Sequence, residues 1–256
     1  LSATDILLAC AGVALIGTVT VLWLMPDSLL RFTMVLLPRL LYRLTVIGSE
    51  SVPREGAALL VPNHVSFVDG FLLMASLDRP IRFVVDARYA ESSWLRPLMK
   101  AMRVIPITSS EGPRVILRAL RDAGAALDNG EIVCIFPEGQ ITRTGTLLPF
   151  RRGFERIVKG RTVPVIPVHL DRIWGSIFSF TNGRFVGKWP ERIPYPVTVS
   201  FGAPQPSSTP AYELRRLVRE LGEAAWYLRK ADQETLHRPV VRAWRRHPFT
   251  FALADS

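Results

Sequence analysis

Cysteine is scarce in this chain of 256 residues, with only Cys10 and Cys134, and both lie in apolar stretches. A disulfide framework needs more cysteines, and neither residue has the spacing of a metal-ligand set. Such sparse usage is typical of a protein that folds in a reducing, cytoplasmic setting. We therefore expect neither a disulfide scaffold nor a metal centre.

Acidic residues are also few compared with basic ones. The chain has 32 Lys and Arg against 22 Asp and Glu, a net charge of +10, which indicates an anionic partner. The sequence lacks the RNP, zinc-finger and helix-turn-helix signatures of nucleic-acid-binding proteins. Because the charge accompanies a hydrophobic N-terminal stretch, we expect anionic lipid headgroups rather than nucleic acid.

Residues 6–25 form an apolar stretch without a charged residue. About twenty such residues span a bilayer as a helix, and a signal peptide is disfavoured because no basic segment precedes them. A buried core helix is the alternative. Asp5 lies before the stretch and Arg31 and Arg39 after it, so the positive-inside rule places the rest of the chain in the cytoplasm, at a bacterial inner membrane.

The sequence divides into four predicted parts. Residues 1–27 are expected to be a transmembrane helix, 28–44 a helix in the membrane interface, 45–230 a globular domain, and 231–256 an arginine-rich linker or tail. Arginines interrupt the second part and disfavour a second span. An amphipathic helix packed on the domain is the alternative interpretation of 28–44.

Short apolar runs alternate with helical patterns in residues 45–230. The predicted strands are 57–61, 81–85, 104–107, 132–135, 163–170 and 196–202. The clearest helix is Pro113–Asp128, with one apolar side and Asn129-Gly130 after it; another is expected from 210 to about 230. This alternation predicts an α/β fold with a mostly parallel sheet covered by helices. Residues 175–189 show no periodicity and receive no prediction.

A histidine and a carboxylate follow the first strand, in the sequence NHVSFVD at residues 63–69. A neutral imidazole at such a turn can take a proton from a hydroxyl, and a carboxylate can hold its tautomer. Alternatively, Ser66 and Asp69 form a capping box and His64 is an ordinary turn residue. These seven residues do not decide between the two.

Two later stretches bear on this choice. Phe136-Pro137-Glu138-Gly139 follows the strand at 132–135, and residues 163–168 read VPVIPV. In order, spacing and strand context, the set resembles the glycerolipid acyltransferase family, whose members carry N-H-x4-D, then F-P-E-G, then this strand. The resemblance covers residues 40–206 and implies the fold of that family.

The resemblance also implies an O-acyltransferase. Such an enzyme moves a fatty acyl group from an acyl thioester, acyl-ACP or acyl-CoA, to the free glycerol hydroxyl of a lysophospholipid, and needs no cofactor. The matching family residues act as general base and orienting carboxylate, so His64 and Asp69 receive these roles.

The acceptor phosphate needs hydrogen-bond donors. Phe136, Pro137 and Gly139 are expected to form a turn that permits close backbone approach, and Arg143 offers a planar guanidinium. Glu138 is expected to orient an arginine or a glycerol hydroxyl. Arg152 is a further candidate, because family members often place a basic residue before a glycine here; a solvated surface position is the alternative for it.

The sequence departs from the family after the strand at 104–107. Enzymes acting on 1-acylglycerol-3-phosphate usually have arginine there, whereas this chain has Thr108 and Ser109. A missing cation favours a phosphodiester acceptor such as lysophosphatidylethanolamine, and 1-acylglycerol-3-phosphate is the alternative.

The stretch FPEGQITRTG at 136–145 resembles the acyltransferase part of bifunctional 2-acylglycerophosphoethanolamine acyltransferase/acyl-ACP synthetases. That resemblance implies fused or adjacent transporter and acyl-synthetase domains, with residues 1–25 as the last transporter helix and the tail as a linker.

Two other functions stay open at this stage. Cys134 and His64 could form a thiol hydrolase pair, although a cysteine in an apolar strand is usually inert. A catalytically silent lipid-binding module is the second, and the intact His64 and Asp69 argue against it.

Overall fold

The structure of the chain, a computed structural model, describes residues 26–93, 95–108, 112–174, 176, 178–180 and 194–232. The predicted transmembrane helix at 6–25 and most of the predicted tail lie outside these ranges. Within them, no helix is both long enough and apolar enough to cross a bilayer.

Seven strands form one sheet in the order β1-β7-β6-β2-β5-β3-β4. Adjacent strands are parallel except β6 and β7, which are antiparallel. The mostly parallel sheet is therefore confirmed. The strands are β1 Tyr42–Ile47, β2 Ala58–Pro62, β3 Ile81–Asp86, β4 Ile105–Ile107, β5 Ile132–Cys134, β6 Val165–Asp171 and β7 Tyr195–Phe201.

Helices cover both faces of this sheet, because its strands are apolar on both sides. In β2, for example, Leu60 points into one hydrophobic core and Leu59 into the other. The helices are α1 Pro26–Leu41, α2 Asp69–Ser76, α3 Ala87–Glu91, α4 Arg96–Ala101, α5 Pro113–Asp128, α6 Gly153–Val158 and α7 Ala211–Asp232.

The predicted bounds hold best for α5, whose observed range is the predicted one. The predicted helix at 28–44 is wrong at its end, because α1 stops at Leu41 and Tyr42 begins β1. Strand β1 pairs in parallel with β7, with Tyr42 opposite Tyr195. This partner lies far along the chain, so the local apolar pattern could not reveal the strand.

Helix α1 packs on the domain, as one of the two interpretations of its segment predicts. Met34 and Pro38 are buried against the domain, and the Arg39 guanidinium donates two hydrogen bonds, of 2.9 and 3.2 Å, to the Ala75 carbonyl. The other side leaves large apolar side chains in solvent: Phe32, Leu36, Leu37 and Leu40. The helix is thus packed on the domain and also presents an exposed apolar face.

Candidate active site

The two sequence motifs meet at one edge of the sheet. Strands β2 and β5 are parallel neighbours, with Leu60 opposite Cys134, so the turns that follow them emerge side by side. The carboxyl edge of a parallel sheet is where open α/β folds place their sites. Residues 63–69 and 136–139 are therefore brought together, as their common position after buried strands predicts.

Asp69 holds the imidazole of His64. Its Oδ2 atom lies 2.9 Å from His64 Nδ1 and accepts the backbone N–H groups of Val65 and Ser66 at 2.7 and 2.9 Å. One carboxylate oxygen therefore holds both the imidazole and the backbone of the turn before α2, whereas the N-cap residue of that helix, Val68, makes no side-chain cap hydrogen bond. Asp69 is fully buried, whereas the His64 side chain is 20% exposed. With Nδ1–H donating to Asp69, Nε2 is the nitrogen that can accept a proton from a ligand.

Asn63 fixes the backbone that carries His64. Its side-chain amide donates to the Leu170 carbonyl at 3.1 Å, and its carbonyl accepts the Leu170 N–H at 2.7 Å. These two bonds extend the pairing of β2 with β6 beyond the last strand residue. Sequence reasoning did not give Asn63 a role, although a polar residue at the end of a buried strand signals such a bond.

Phe136 packs flat on the His64 imidazole. The two ring centroids are 4.1 Å apart, with an interplanar angle of 23°. The aromatic ring fixes one face of His64 while Asp69 fixes its edge. Phe136 was predicted among the substrate-binding residues, and the structure places it against the candidate base itself.

Glu138 has a different partner from the predicted one. Its Oε1 accepts the backbone N–H of His64 at 2.6 Å and its Oε2 accepts that of Leu148 at 2.7 Å. Burial raises the pKa of Glu138 to about 7, although these two N–H groups oppose the shift. The side chain therefore orients two backbone segments, rather than an arginine or a glycerol hydroxyl, because it is buried too deeply to face a ligand.

Gly139 makes a tight turn under an arginine. Its φ is +69°, a conformation that favours glycine, and a Cβ here would lie 2.8 Å from Arg151 Nε. The turn is closed by the Arg151 N–H, which donates to the Pro137 carbonyl at 2.8 Å. Arg151, which the sequence analysis did not select although it selected the neighbouring Arg152, is thus the arginine that lies against the motif.

Arg152 points elsewhere. Its exposed side chain forms an ion pair of 2.8 Å with Glu155 and lines a surface cavity with Lys159, Ser207 and Ser208. None of the other candidate residues lines that cavity within the described part of the chain. The structure therefore does not bring Arg152 to His64, because the start of α6 turns its side chain towards the next helical turn.

Arg143 lies in the loop that reaches back to the histidine. The preceding residue, Thr142, is buried and donates its N–H to the His64 carbonyl at 2.9 Å. Thr142 Oγ1 also donates to the Thr146 carbonyl at 2.8 Å, which shapes the loop. Arg143 is exposed, with its guanidinium 5.6 Å from the centre of the Phe180 ring. The positively charged Arg143 thus follows directly on Thr142, the residue that is hydrogen-bonded to the His64 backbone.

Residues 178–180, which belong to the segment 175–189 that received no prediction, pair with the turn at residues 63–69. Ser66 donates its hydroxyl to the Phe178 carbonyl at 2.9 Å, and Ser66 and Ser179 form an antiparallel bridge. Residues 178–180 therefore border the site, beside the Arg143 loop. This pairing joins segments more than a hundred residues apart, which explains why periodicity gave no prediction for it.

Cys134 cannot act as the nucleophile of a thiol enzyme here. The side chain is completely buried in β5, and burial raises its pKa well above the ordinary value, with a further contribution from Asp69. A reactive cysteine needs the opposite environment. In the described residues, no cluster of His, Cys, Asp and Glu could hold a metal ion.

Comparison with known proteins agrees with this geometry. Residues 43–171, half of the chain, match the Acyltransferase family. Among curated relatives, the chloroplastic 1-acyl-sn-glycerol-3-phosphate acyltransferase of Brassica napus is 29% identical over 130 residues, covering 50% of this chain and 37% of the relative. The enzyme of that name from Limnanthes douglasii is 29% identical over 161 residues, covering 61% of this chain and 52% of the relative.

A probable bacterial enzyme of the same name, from Mycoplasma pneumoniae, is 24% identical and is covered to 52% of its length. The chain thus spans between about a third and a half of the length of these relatives. The fold also matches the crystal structure of a 1-acyl-sn-glycerophosphate acyltransferase from Thermotoga maritima, with a TM-score of 0.61 and 23% identity over 82% of this chain and 81% of the other.

Proposed function

Because the chain belongs to the Acyltransferase family, we propose that it transfers a fatty acyl group from an acyl thioester to the free glycerol hydroxyl of a lysophospholipid. The single observation that carries the proposal is the 2.9 Å contact between His64 Nδ1 and the buried Asp69 carboxylate. This contact leaves one imidazole nitrogen available to act as a base towards a ligand.

The reaction needs no enzyme nucleophile, because a thioester is already activated. His64 Nε2 takes the proton of the glycerol hydroxyl as its oxygen attacks the thioester carbonyl. Asp69 stabilises the imidazolium that forms. When the tetrahedral intermediate collapses, the C–S bond breaks and the imidazolium returns the proton to the leaving sulfur. The products are an acyl ester and a free thiol.

A phosphodiester headgroup is the favoured acceptor. Thr108 stands just after β4 without a positive charge, and Ser109 lies outside the described residues. Fewer cations suit a phosphodiester, which carries one negative charge less than a phosphomonoester. Arg143 and Arg151 lie on the two loops that contact the motifs and are the arginines we assign to the phosphate. The second candidate acceptor is 1-acylglycerol-3-phosphate, which the names of the relatives favour.

The exposed apolar face of α1 supports attachment to a membrane. Phe32 and Leu40 are each 62% exposed, although they are large and apolar, and such a face is suited to the acyl boundary of a bilayer. We infer that residues 28–41 lie in the interface and residues 6–25 span the inner membrane, with His64 on the cytoplasmic side. The resemblance at 136–145 further supports fused or adjacent transporter and acyl-synthetase domains.

An acceptor competition tests the proposal. The purified full chain would be offered lysophosphatidylethanolamine and 1-acylglycerol-3-phosphate at equal concentration, once with acyl-ACP and once with acyl-CoA. We expect transfer, mainly to the phosphodiester. Preference for the phosphomonoester contradicts the headgroup assignment alone. Binding to lipid vesicles without any transfer would favour the silent lipid-binding module.

Two arginine substitutions test the headgroup assignment: one removes an arginine that we assign to the phosphate, and the other is its control. Arg143→Ala should raise the KM for the lysophospholipid about tenfold, since a charge-assisted hydrogen bond is worth about 1.5–3 kcal/mol. Arg152→Ala, whose side chain pairs with Glu155, should leave KM within about twofold because a surface ion pair contributes little. Thr108→Arg should shift the preference towards 1-acylglycerol-3-phosphate.

A further inference from the structure

Helix α5 carries a row of three arginines on its outer side. Arg114, Arg118 and Arg121 are spaced by four and three residues, so they lie on one face of the helix, and all three are exposed. We call them the arginine row. The opposite side of the helix holds its buried residues, among them Ala119, Leu120, Ala123 and Leu127. The row therefore points away from the sheet and into solvent.

The exposed arginines of α7 are neutralised, whereas those of the row are not. In α7, Arg216 pairs with Glu213 and Glu220. Arg219 pairs with Glu223 at 3.5 Å. By contrast, no residue that the structure describes forms an ion pair with a member of the arginine row. Like charges at such spacings repel one another and destabilise a helix, and a bound anionic partner would offset this repulsion.

Helix α6 links the arginine row to the candidate active site. It packs against α5 and adds an exposed cation, Arg156, followed by another at Lys159 just after its end. Arg151, two residues before the helix, lies against Gly139 of the turn motif. A partner bound along α5 and α6 is therefore beside a helix that begins at the site.

Acidic residues do little to cancel the positive charge of this surface. Asp128, at the end of α5, pairs with Arg161 at 2.7 Å. Glu155, in α6, pairs with Arg152 at 2.8 Å. Asp122 is the remaining acidic residue of the two helices. The outer surface of α5 and α6 thus keeps a clear excess of positive charge.

The arginine row lies on the opposite face of the sheet from the exposed apolar face of α1. Helices α5 and α6 pack on the hydrophobic core that contains Leu59. Helix α1 packs against α2, whose buried leucines belong to the core that contains Leu60. Because α1 is the helix that we place in the membrane interface, the row faces away from the bilayer. Its anionic partner is therefore expected to come from solution.

We propose that the arginine row is the docking surface for the carrier protein of an acyl-ACP donor. The inference rests on the proposed function, in which an acyl thioester is the donor. A carrier protein is a small acidic protein, so its surface is complementary to the row. It bears the acyl group on a long flexible arm, which lets the protein dock on α5 while the thioester reaches His64. Acyl-CoA has no such protein surface, so the row favours acyl-ACP.

A comparison of the two donors tests the inference. The purified full chain would transfer the same acyl group to the same lysophospholipid from acyl-ACP or from acyl-CoA. Arg118→Glu should lower kcat/KM for acyl-ACP about tenfold, and reversal of all three charges about 10²-fold, as expected when electrostatic steering is lost. The values for acyl-CoA should stay within about twofold. Arg54→Glu, the same change at an exposed turn outside α5, should leave both donors within about twofold.

The outcomes separate this inference from the proposed function. An equal loss with both donors, or no loss with acyl-ACP, overturns the docking surface and leaves acyl transfer standing. Surface plasmon resonance with holo acyl carrier protein needs no transfer, and binding should weaken in the same order of variants and with rising salt. A chain that transfers nothing from either donor but binds the carrier protein through the row would refute the proposed function alone.

Anionic vesicles provide the remaining arm of the test. If the triple variant loses binding to phosphatidylglycerol vesicles while its binding to the carrier protein is unchanged, the row is a membrane contact and the inference is wrong. We expect the reverse result, with vesicle binding within about twofold of the unaltered chain.

Discussion

The turns after β2 and β5 each carry a buried carboxylate, and they use it in different ways. Asp69, in the first turn, bonds the His64 side chain. Glu138, in the second, bonds the backbone N–H groups of His64 and Leu148. The first carboxylate contacts the imidazole that we propose as the general base, and the second contacts the backbone that carries this imidazole. A buried carboxylate next to the proposed base is therefore not by itself a sign of a chemical role.

The largest expected effect comes from removing the base. His64→Ala should lower kcat about 10²–10⁴-fold, which is the usual contribution of a positioned general base. The fold should survive because the side chain is partly exposed and its backbone bonds to Glu138 and Thr142 remain. Acyl transfer and circular dichroism on the same preparation measure both. Near-full activity in this variant would contradict the mechanism.

The first turn is then tested at Asp69. Asp69→Asn should lower kcat about 10²-fold or more, since the amide cannot stabilise the imidazolium as a carboxylate does. It should also lower the unfolding free energy by about 1–3 kcal/mol, because backbone N–H groups of Val65 and Ser66 lose a charged acceptor. Single-turnover kinetics and urea unfolding measure the two effects. A variant that loses stability but keeps kcat would give Asp69 a structural role alone.

In the second turn, substitution of Glu138 should mainly change the unfolding free energy and its dependence on pH. The pKa of Glu138 rises from 4.5 to about 7 on folding, so the folded chain binds a proton more tightly. The unfolding free energy should therefore fall between about pH 4.5 and pH 7 as the pH rises, by up to about 3 kcal/mol from this group. Glu138→Gln should flatten that dependence, whereas Glu55→Gln at an exposed turn should leave it unchanged. Urea unfolding across this range is the measurement, and an unaltered slope in Glu138→Gln refutes the assignment.

The smallest effect is expected at Cys134, which is buried in β5 opposite Leu60 of β2. Cys134→Ala should keep kcat within about twofold and lose about 1 kcal/mol of stability, as is usual for a small change in a packed core. Activity assays and thermal unfolding measure this. A folded but inactive variant would instead favour the thiol mechanism.

Much of the fold could be predicted from local patterns. Helix α5 was placed to the residue because its apolar side, proline start and Asn-Gly end all lie within one short stretch. Strand β1 was missed because its pairing with β7 joins distant segments. The same distinction separates His64 and Asp69, five residues apart, from Arg151 and Arg152, whose roles depend on where α6 begins.

Local sequence was enough to indicate the family and its candidate groups: a histidine and a carboxylate after one strand, and a turn motif after another. Both signals are short, and the linear spacing of residues preserves them. The contacts of Glu138 and Arg151 depend on the tertiary structure, because their partners lie about ten to more than seventy residues away in the chain. Burial and packing between distant segments, which no local pattern encodes, determine those contacts.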